Sequence, residues 1–248
     1  MSGKKSKPAA KSAKQAPPRS AQEQRPRDSA TLILLDGPPQ APRVLLGKRS
    51  ERHVFMPGRF VFPGGAIDDT DHNMAAAGTL DSHSERRLLM KVERPAPTLA
   101  RALALAAIRE TCEETGLVIG AKHGKPPQTP APAWKPFMTE GHVPNLAALT
   151  FVARAITPPG RTRMFDARFF VAHRRDVATE VPDVVGPESE LVELRWLTID
   201  AARAENLPGI TKVLLAEIEL RLKSGLSARA PVPFYYFRDG RSYREEFE

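Results

Sequence analysis

Residues 98–117 constrain the fold more than any other stretch of this chain. Thr98 follows Pro97 directly and is placed to cap a helix over residues 99–115. Gly116 is placed to end that helix in the left-handed conformation. On a helix, Glu113 and Glu114 lie three and four residues beyond Glu110, so the three carboxylates share a face. Leu103, Ala106, Ala107 and Cys112 are left for the core. Like charges at this spacing repel by a few tenths of a kcal/mol per pair. A divalent cation reverses the sign of that arrangement. Hard oxygen donors at such density suit Mg²⁺ or Mn²⁺, which keep waters and accept phosphate oxygens as their other ligands. Spacing alone still favours a solvated acidic helix face over a metal site.

The surrounding elements predict an α+β fold, an α/β/α sandwich with a mixed sheet. Residues 30–35 read as a strand, and Asp36-Gly37-Pro38-Pro39 as a turn. Residues 42–49 run back as the second strand of a hairpin, and 60–62 form a short strand stopped by Pro63-Gly64-Gly65. Residues 72–97 carry little pattern and read as a partly helical insertion. Residues 121–136 hold five prolines, Pro126, Pro127, Pro130, Pro132 and Pro136, and read as a loop. Strands are expected over 146–155, 167–172 and 191–197, and a short helix from 201. A longer helix over 210–223 follows, ending at Gly225, with a terminal hairpin over 234–247 around Asp239-Gly240. No internal repeat is present.

The net charge of +8 suggests nucleic acid until it is located. Residues 1–28 hold eight Lys/Arg against Glu23 and Asp28, which is +6 and leaves +2 for the rest. That segment is rich in Lys, Pro, Ala, Ser and Gln and reads as a disordered basic tail, with the folded domain over 29–248. No aromatic residue interleaves its charges, so nucleic-acid binding through it is open but not favoured. Cys112 is the single cysteine, which excludes an intrachain disulfide and fits a reducing cytoplasm. No apolar run is long enough to span a bilayer, and no apolar stretch behind the basic N-terminus makes a secretory signal.

Context decides between the solvated face and the metal site. Arg109-Glu110-Thr111-Cys112-Glu113-Glu114-Thr115-Gly116-Leu117 resembles the second half of the Nudix box, G-x5-E-x7-R-E-U-x-E-E-x-G-U, where U is bulky and aliphatic. Phe62-Pro63-Gly64-Gly65 precedes the helix, as in Nudix hydrolases. Thr111 stands where the box has an aliphatic residue. Box glycine to box arginine normally spans fourteen residues; Gly65 to Arg109 spans forty-four, so about thirty residues are inserted, over about 72–98. The first glutamate of the box has no clear counterpart. Counting forward from Gly65 lands on Asp71, and counting back from Arg109 lands on Arg101.

Several stretches resemble the coenzyme A diphosphatase branch, above all the peroxisomal members with an insertion inside the box. They are Arg49-Ser50, Phe55-Met56-Pro57-Gly58, Val61 to Gly65, Asp68 and Asp71. Ile156-Thr157-Pro158 and the run from Arg163 to Phe170 are similar to the same branch. The C-terminus, Glu245-Glu246-Phe247-Glu248, is no peroxisomal tripeptide, so a bacterial cytoplasmic relative is expected.

The resemblance implies attack of water on a phosphorus of a nucleoside diphosphate linked to a moiety X. Coenzyme A or acyl-CoA is the first expectation for the substrate. ADP-ribose, NADH or capped RNA are the enzymatic alternatives, and a non-catalytic sensor or RNA-binding protein is the alternative of another class. It also implies metal ligation by Glu110, Glu113, Glu114 and the Gly65 carbonyl, and a catalytic set of Arg109, Glu113, Glu114 and Glu190. Arg109 is expected to hold a glutamate by a bidentate bond, and Glu190 is the candidate general base. Arg49, Ser50 and Gly64 are candidate substrate contacts. The six histidines show no paired metal spacing, and Tyr235, Tyr236 and Phe237 are expected to pack rather than stack on a base. A homodimer stays open.

Overall fold

The structure is a computed structural model that describes residues 25–53, 56–123, 131–139 and 141–248. Most of the basic tail, Phe55 of the Phe-Met-Pro-Gly run, and Pro126, Pro127 and Pro130 lie outside the described residues.

Strand β1 (Arg27–Asp36) organises the molecule because its side chains alternate between two cores. Ala30, Leu32 and Leu34 point into one, Ile33 and Leu35 into the other. β2 (Arg43–Arg49) returns antiparallel, with Leu35 opposite Val44 and Asp36 opposite Arg43. Beyond those pairs the two strands part, and the glycine segment fills the gap. β3 (Phe60–Val61) pairs with β2, and the chain crosses over Phe62-Pro63 to become β4 (Gly64–Ala66), which pairs with β1.

A 3₁₀ turn at Asp69–His72 comes next; the insertion after it supplies helix α1 (Ser82–Leu88) and leads into α2 (Pro97–Thr115). Then come β5 (Leu117–Lys122), α3 (Lys135–Thr139), β6 (His142–Pro144), β7 (Thr150–Ile156), β8 (Phe165–His173) and β9 (Val177–Glu180). The chain closes with β10 (Leu191–Thr198), α4 (Ile199–Ala204), α5 (Gly209–Lys223), β11 (Val232–Arg238) and β12 (Arg241–Phe247). The large mixed sheet runs β10-β2-β1-β8-β7-β11-β12, with β3 and β4 seated on β2 and β1; β6-β5-β9 form a smaller sheet. The pairs β1–β8 and β7–β11 are parallel.

One face of the large sheet packs on α2 through Leu103, Ala106, Ala107 and Cys112. The other packs on α4 and α5 through Ala202, Leu214, Leu215 and Ile218. This is the expected α+β sandwich. No described helix is long and apolar enough to cross a membrane.

Several local expectations are corrected. Ala96, not Thr98, is the N-cap of α2, and Pro97 is its first helical residue. Proline has its φ already fixed for a helix start and lacks an N–H that would go unsatisfied there. Arg27 and Asp28, expected in the tail, already belong to β1 through parallel pairing with Phe165 and Asp166. Residues 146–148 form a 3₁₀ turn before β7 rather than the start of a strand. The proline-rich stretch is not all loop, since Pro132–Trp134 and α3 are helical. Fully buried Trp134 and Phe137, with ring centroids 5.3 Å apart, anchor it. The late short helix starts at Ile199 because Thr198 caps it, its hydroxyl accepting from Ala201 N–H.

The insertion is fastened to the C-terminal strands. Buried Arg87 of α1 donates to the Ala228 and Arg229 carbonyls at 2.5 and 2.9 Å. Lys91 pairs with Glu245 and lies over the Phe234 and Tyr236 rings. Arg154 of β7 donates to the Met90 carbonyl at 2.7 Å.

Candidate active site

The site forms where the last two turns of α2 pass the glycine crossing between β3 and β4. Gly116 takes φ 78°, and its N–H donates to the Cys112 carbonyl, which ends the helix as expected. Thr111 fits its buried place because its hydroxyl donates to the Ala107 carbonyl at 2.7 Å, so no polar group is left unmet.

A Cβ at either crossing position would meet a neighbour, backbone at Gly64 and a side chain at Gly65. A Cβ on Gly64 would stand 2.5 Å from the Ala30 carbonyl oxygen and 2.6 Å from Thr31 Cα, both backbone atoms of β1. A Cβ on Gly65 would stand 2.4 Å from the Glu110 carboxylate. The backbone of Gly65 therefore lies directly against that carboxylate.

Arg109 is the buried hub. Its Nε and Nη2 donate to the two carboxylate oxygens of Asp71 at 2.8 and 3.0 Å. Its Nη1 reaches both Glu110 Oε1 and Glu113 Oε2 at 2.8 Å, and its Nη2 reaches the Ala66 carbonyl at 2.9 Å. Burial disfavours its charge, but the Asp71 bonds and the charges of Glu110 and Asp71 outweigh that, so the guanidinium stays protonated. The bidentate partner is thus Asp71 and not a glutamate. Asp71 is fully buried and stands six residues beyond Gly65, where the box carries its first glutamate. The sequence signal was the forward count from Gly65.

Glu114 is buried and accepts from Gly64 N–H at 3.0 Å. Burial pushes its carboxyl well above the usual range; the charges of Glu190 and Glu110 add to this, and the Gly64 bond and Arg49 oppose it. Burial likewise raises Glu110, opposed by Arg109 and reinforced by Glu113 and Glu190. Four carboxylates thus converge, with Arg109 and Arg49 as their compensating cations.

Glu190 arrives just before β10, whose pairing with β2 sets it beside Arg49. Arg49 Nη2 meets Glu190 Oε1 at 2.6 Å, and His53 Nε2 lies 3.3 Å from the same oxygen. Ser50 N–H donates to the Glu190 carbonyl at 3.0 Å. Ser50, Arg52, His53, Pro187, Glu188, Ser189 and Glu190 line a recess of about 170 Å³. His53 therefore belongs to the site's edge. Cys112 is buried in the core.

Among the described residues, no three His, Cys, Asp or Glu side chains are closed into a ready metal cage. Glu110 and Glu113 share Arg109, and Glu114 is tied to Gly64. The donor set still fits Mg²⁺ or Mn²⁺ on two grounds. The acidic groups are buried and mutually repelled, which a cation would offset. Mg²⁺ also takes one or two protein carboxylates plus waters and substrate phosphates rather than an all-protein cage.

No family model matches the chain. It is 25% identical to the acyl-coenzyme A diphosphatase NUDT19 of Gallus gallus, over 68% of this chain and 60% of that protein. It is 42% identical to the uncharacterized Nudix hydrolase NudL of an Enterobacter species, over 24% of this chain and 30% of that protein. The chain thus spans less than two thirds of the length of either curated relative. A Nudix hydrolase structure from Alicyclobacillus acidocaldarius superposes with a TM-score of 0.57 at 23% identity, covering 81% of this chain and 97% of that one.

Proposed function

From its place in the Nudix hydrolase superfamily, we propose that this chain hydrolyses the diphosphate linkage of a nucleoside diphosphate joined to X. Coenzyme A or an acyl derivative is the substrate this reading favours. One observation carries the chemistry: buried Glu110 and Glu114 face the Gly64-Gly65 backbone, with Glu190 opposed across the gap. The substrate reading is supported by the resemblance around Arg49-Ser50 and by the diphosphatase activity in the chicken protein's name.

Glu110, Glu113, Glu114 and the Gly65 carbonyl would hold the divalent metal. When bound, Mg²⁺ or Mn²⁺ offsets the charge of the diphosphate and lowers the pKa of the attacking water. Arg109, anchored by Asp71, holds Glu110 and Glu113 on their shared face. Glu190 accepts the proton of the water as its oxygen bonds to phosphorus and the P–O anhydride bond breaks. Both products leave as phosphorylated fragments. Gly64 and Ser50 line the path of the substrate, Gly64 by its close backbone and Ser50 at the rim of the recess.

The test offers the purified protein coenzyme A, ADP-ribose, NADH and a dinucleoside polyphosphate, each with Mg²⁺, and compares Glu114→Gln. Turnover of coenzyme A, falling by about a hundredfold or more in the variant, is expected. No turnover of any compound, with the variant indistinguishable from wild type, would sink the enzyme reading. Turnover of ADP-ribose alone would replace the substrate.

A further inference from the structure

We propose that Trp134, which lies outside both the box and the insertion, is a positioning residue for the metal centre: its indole N–H pins the turn that presents Asp71 to Arg109. The inference rests on Glu110, Glu113 and Glu114 being the metal ligands, and it concerns what keeps them aligned.

Asp71 is only as well placed as the turn that carries it. Asp69–His72 is a single 3₁₀ turn, and Asp71 is its buried residue. Local bonds close the turn on itself. Asp68 N–H donates to Asp71 Oδ2 at 2.8 Å, and Thr70 N–H donates to Asp68 Oδ1 at 2.9 Å. Backbone and side-chain hydrogen bonds from Thr70 hold the Asp68 carboxyl below its usual range. These bonds set the shape of the turn but not its place in the molecule. Its place is set from outside. Just past its end, the N–H of buried Met74 donates to the Thr70 carbonyl, and Arg101 donates to the Met74 carbonyl. At its middle, one residue before Asp71, Trp134 Nε1–H donates to Thr70 Oγ1 at 3.3 Å.

The indole suits this place by burial and by chemistry. Trp134 is wholly buried and shares a core with Leu103, Ala106 and Ala107 of α2, the helix that carries the glutamates. An indole has one donor and no acceptor, and a buried N–H without an acceptor is costly. The Thr70 hydroxyl is that acceptor. A hydroxyl can accept and donate at once, so it also serves the Asp68 carboxylate. The connection then runs from Trp134 through Thr70 and Asp68 to Asp71, and from Asp71 through Arg109 to Glu110 and Glu113. Phenylalanine would fill most of the same space and offer no donor.

Two measurements test this: Mn²⁺ binding without substrate, followed by electron paramagnetic resonance, and steady-state kinetics on coenzyme A, or on ADP-ribose should that be the compound turned over. Trp134→Phe is expected to weaken Mn²⁺ binding by about fivefold and to raise the Mg²⁺ concentration for half-maximal rate alike, with substrate KM within about twofold. Thr70→Val, which removes the acceptor, should lose at least as much, and Thr70→Ser, which keeps the hydroxyl, should bind Mn²⁺ as wild type does. The double variant Trp134→Phe/Thr70→Val should match Thr70→Val alone, since both changes remove one bond. Losses that multiply, or wild-type Mn²⁺ binding in Trp134→Phe, would overturn the positioning role. Thermal melts report folding. Should Trp134→Phe fail to fold, wild-type Mn²⁺ binding in Thr70→Val overturns the role equally. No Mn²⁺ binding by the wild-type protein would instead remove the metal reading, and the inference would fall with it.

Discussion

At the scale of single residues, the site depends on one buried ion pair. Arg109 and Asp71 are nearly or wholly removed from solvent, and their bidentate bond is what makes an arginine inside the acidic cluster tolerable. Asp71→Ala leaves that guanidinium with only the edge carboxylates and the Ala66 carbonyl. It should cost about 3–5 kcal/mol in urea unfolding; a loss below about 1 kcal/mol would mean that Glu110 and Glu113 suffice. Gly65→Ala acts differently. Its Cβ would overlap the Glu110 carboxylate rather than backbone, so the side chain yields and the fold survives. The expected result is native circular dichroism with kcat lowered by roughly a hundredfold, as a misplacement of about 1 Å can produce.

The elements show why a thirty-residue insertion is compatible with a box that must stay closed. It leaves after the Asp69–His72 turn, so Asp71 stays next to Gly65 and still meets Arg109. The remainder packs on the same side of the sheet as α2 and reaches its other edge, where Arg87, Lys91 and the Met90 carbonyl engage the loop before β11, β12 and β7. Arg87→Met would strip two backbone carbonyls of a charged donor. A loss of about 1.5–3 kcal/mol is expected, with faster amide exchange confined to β11 and β12. Unchanged exchange in those strands would show that they hold without the insertion. None of this was legible in residues 72–97, whose weak local pattern says nothing of a docking partner more than a hundred residues away.

Across the whole molecule, the two cores meet through β1, and Cys112 reports on one of them. Burial, helped by the charge of Glu113, pushes its thiol up to about 12. A folded pKa raised above the unfolded value means that the native state holds the proton more tightly. The associated stability is intact below about pH 9 and is lost as pH rises toward 12. At pH 8 the native thiol should therefore resist iodoacetamide, and labelling should track global unfolding in urea. Rapid labelling without denaturant would show that the end of α2 opens on its own.

Read by itself, the sequence determined the helix, its acidic face and its glycine stop, because 3.6-residue periodicity and a left-handed cap are local properties. It also determined most strands, through short apolar runs between turns, and the near neighbours Gly64, Gly65, Arg109, Glu110 and Glu114. Only the tertiary structure decided that Asp71 completes the box, that β3 and β4 wedge between splayed strands, and that Arg49 and His53 face Glu190. Those pairings join residues 38 and about 140 positions apart. Their partners are chosen by strand order and by the need to neutralise buried charge, and neither is written in any local stretch of chain.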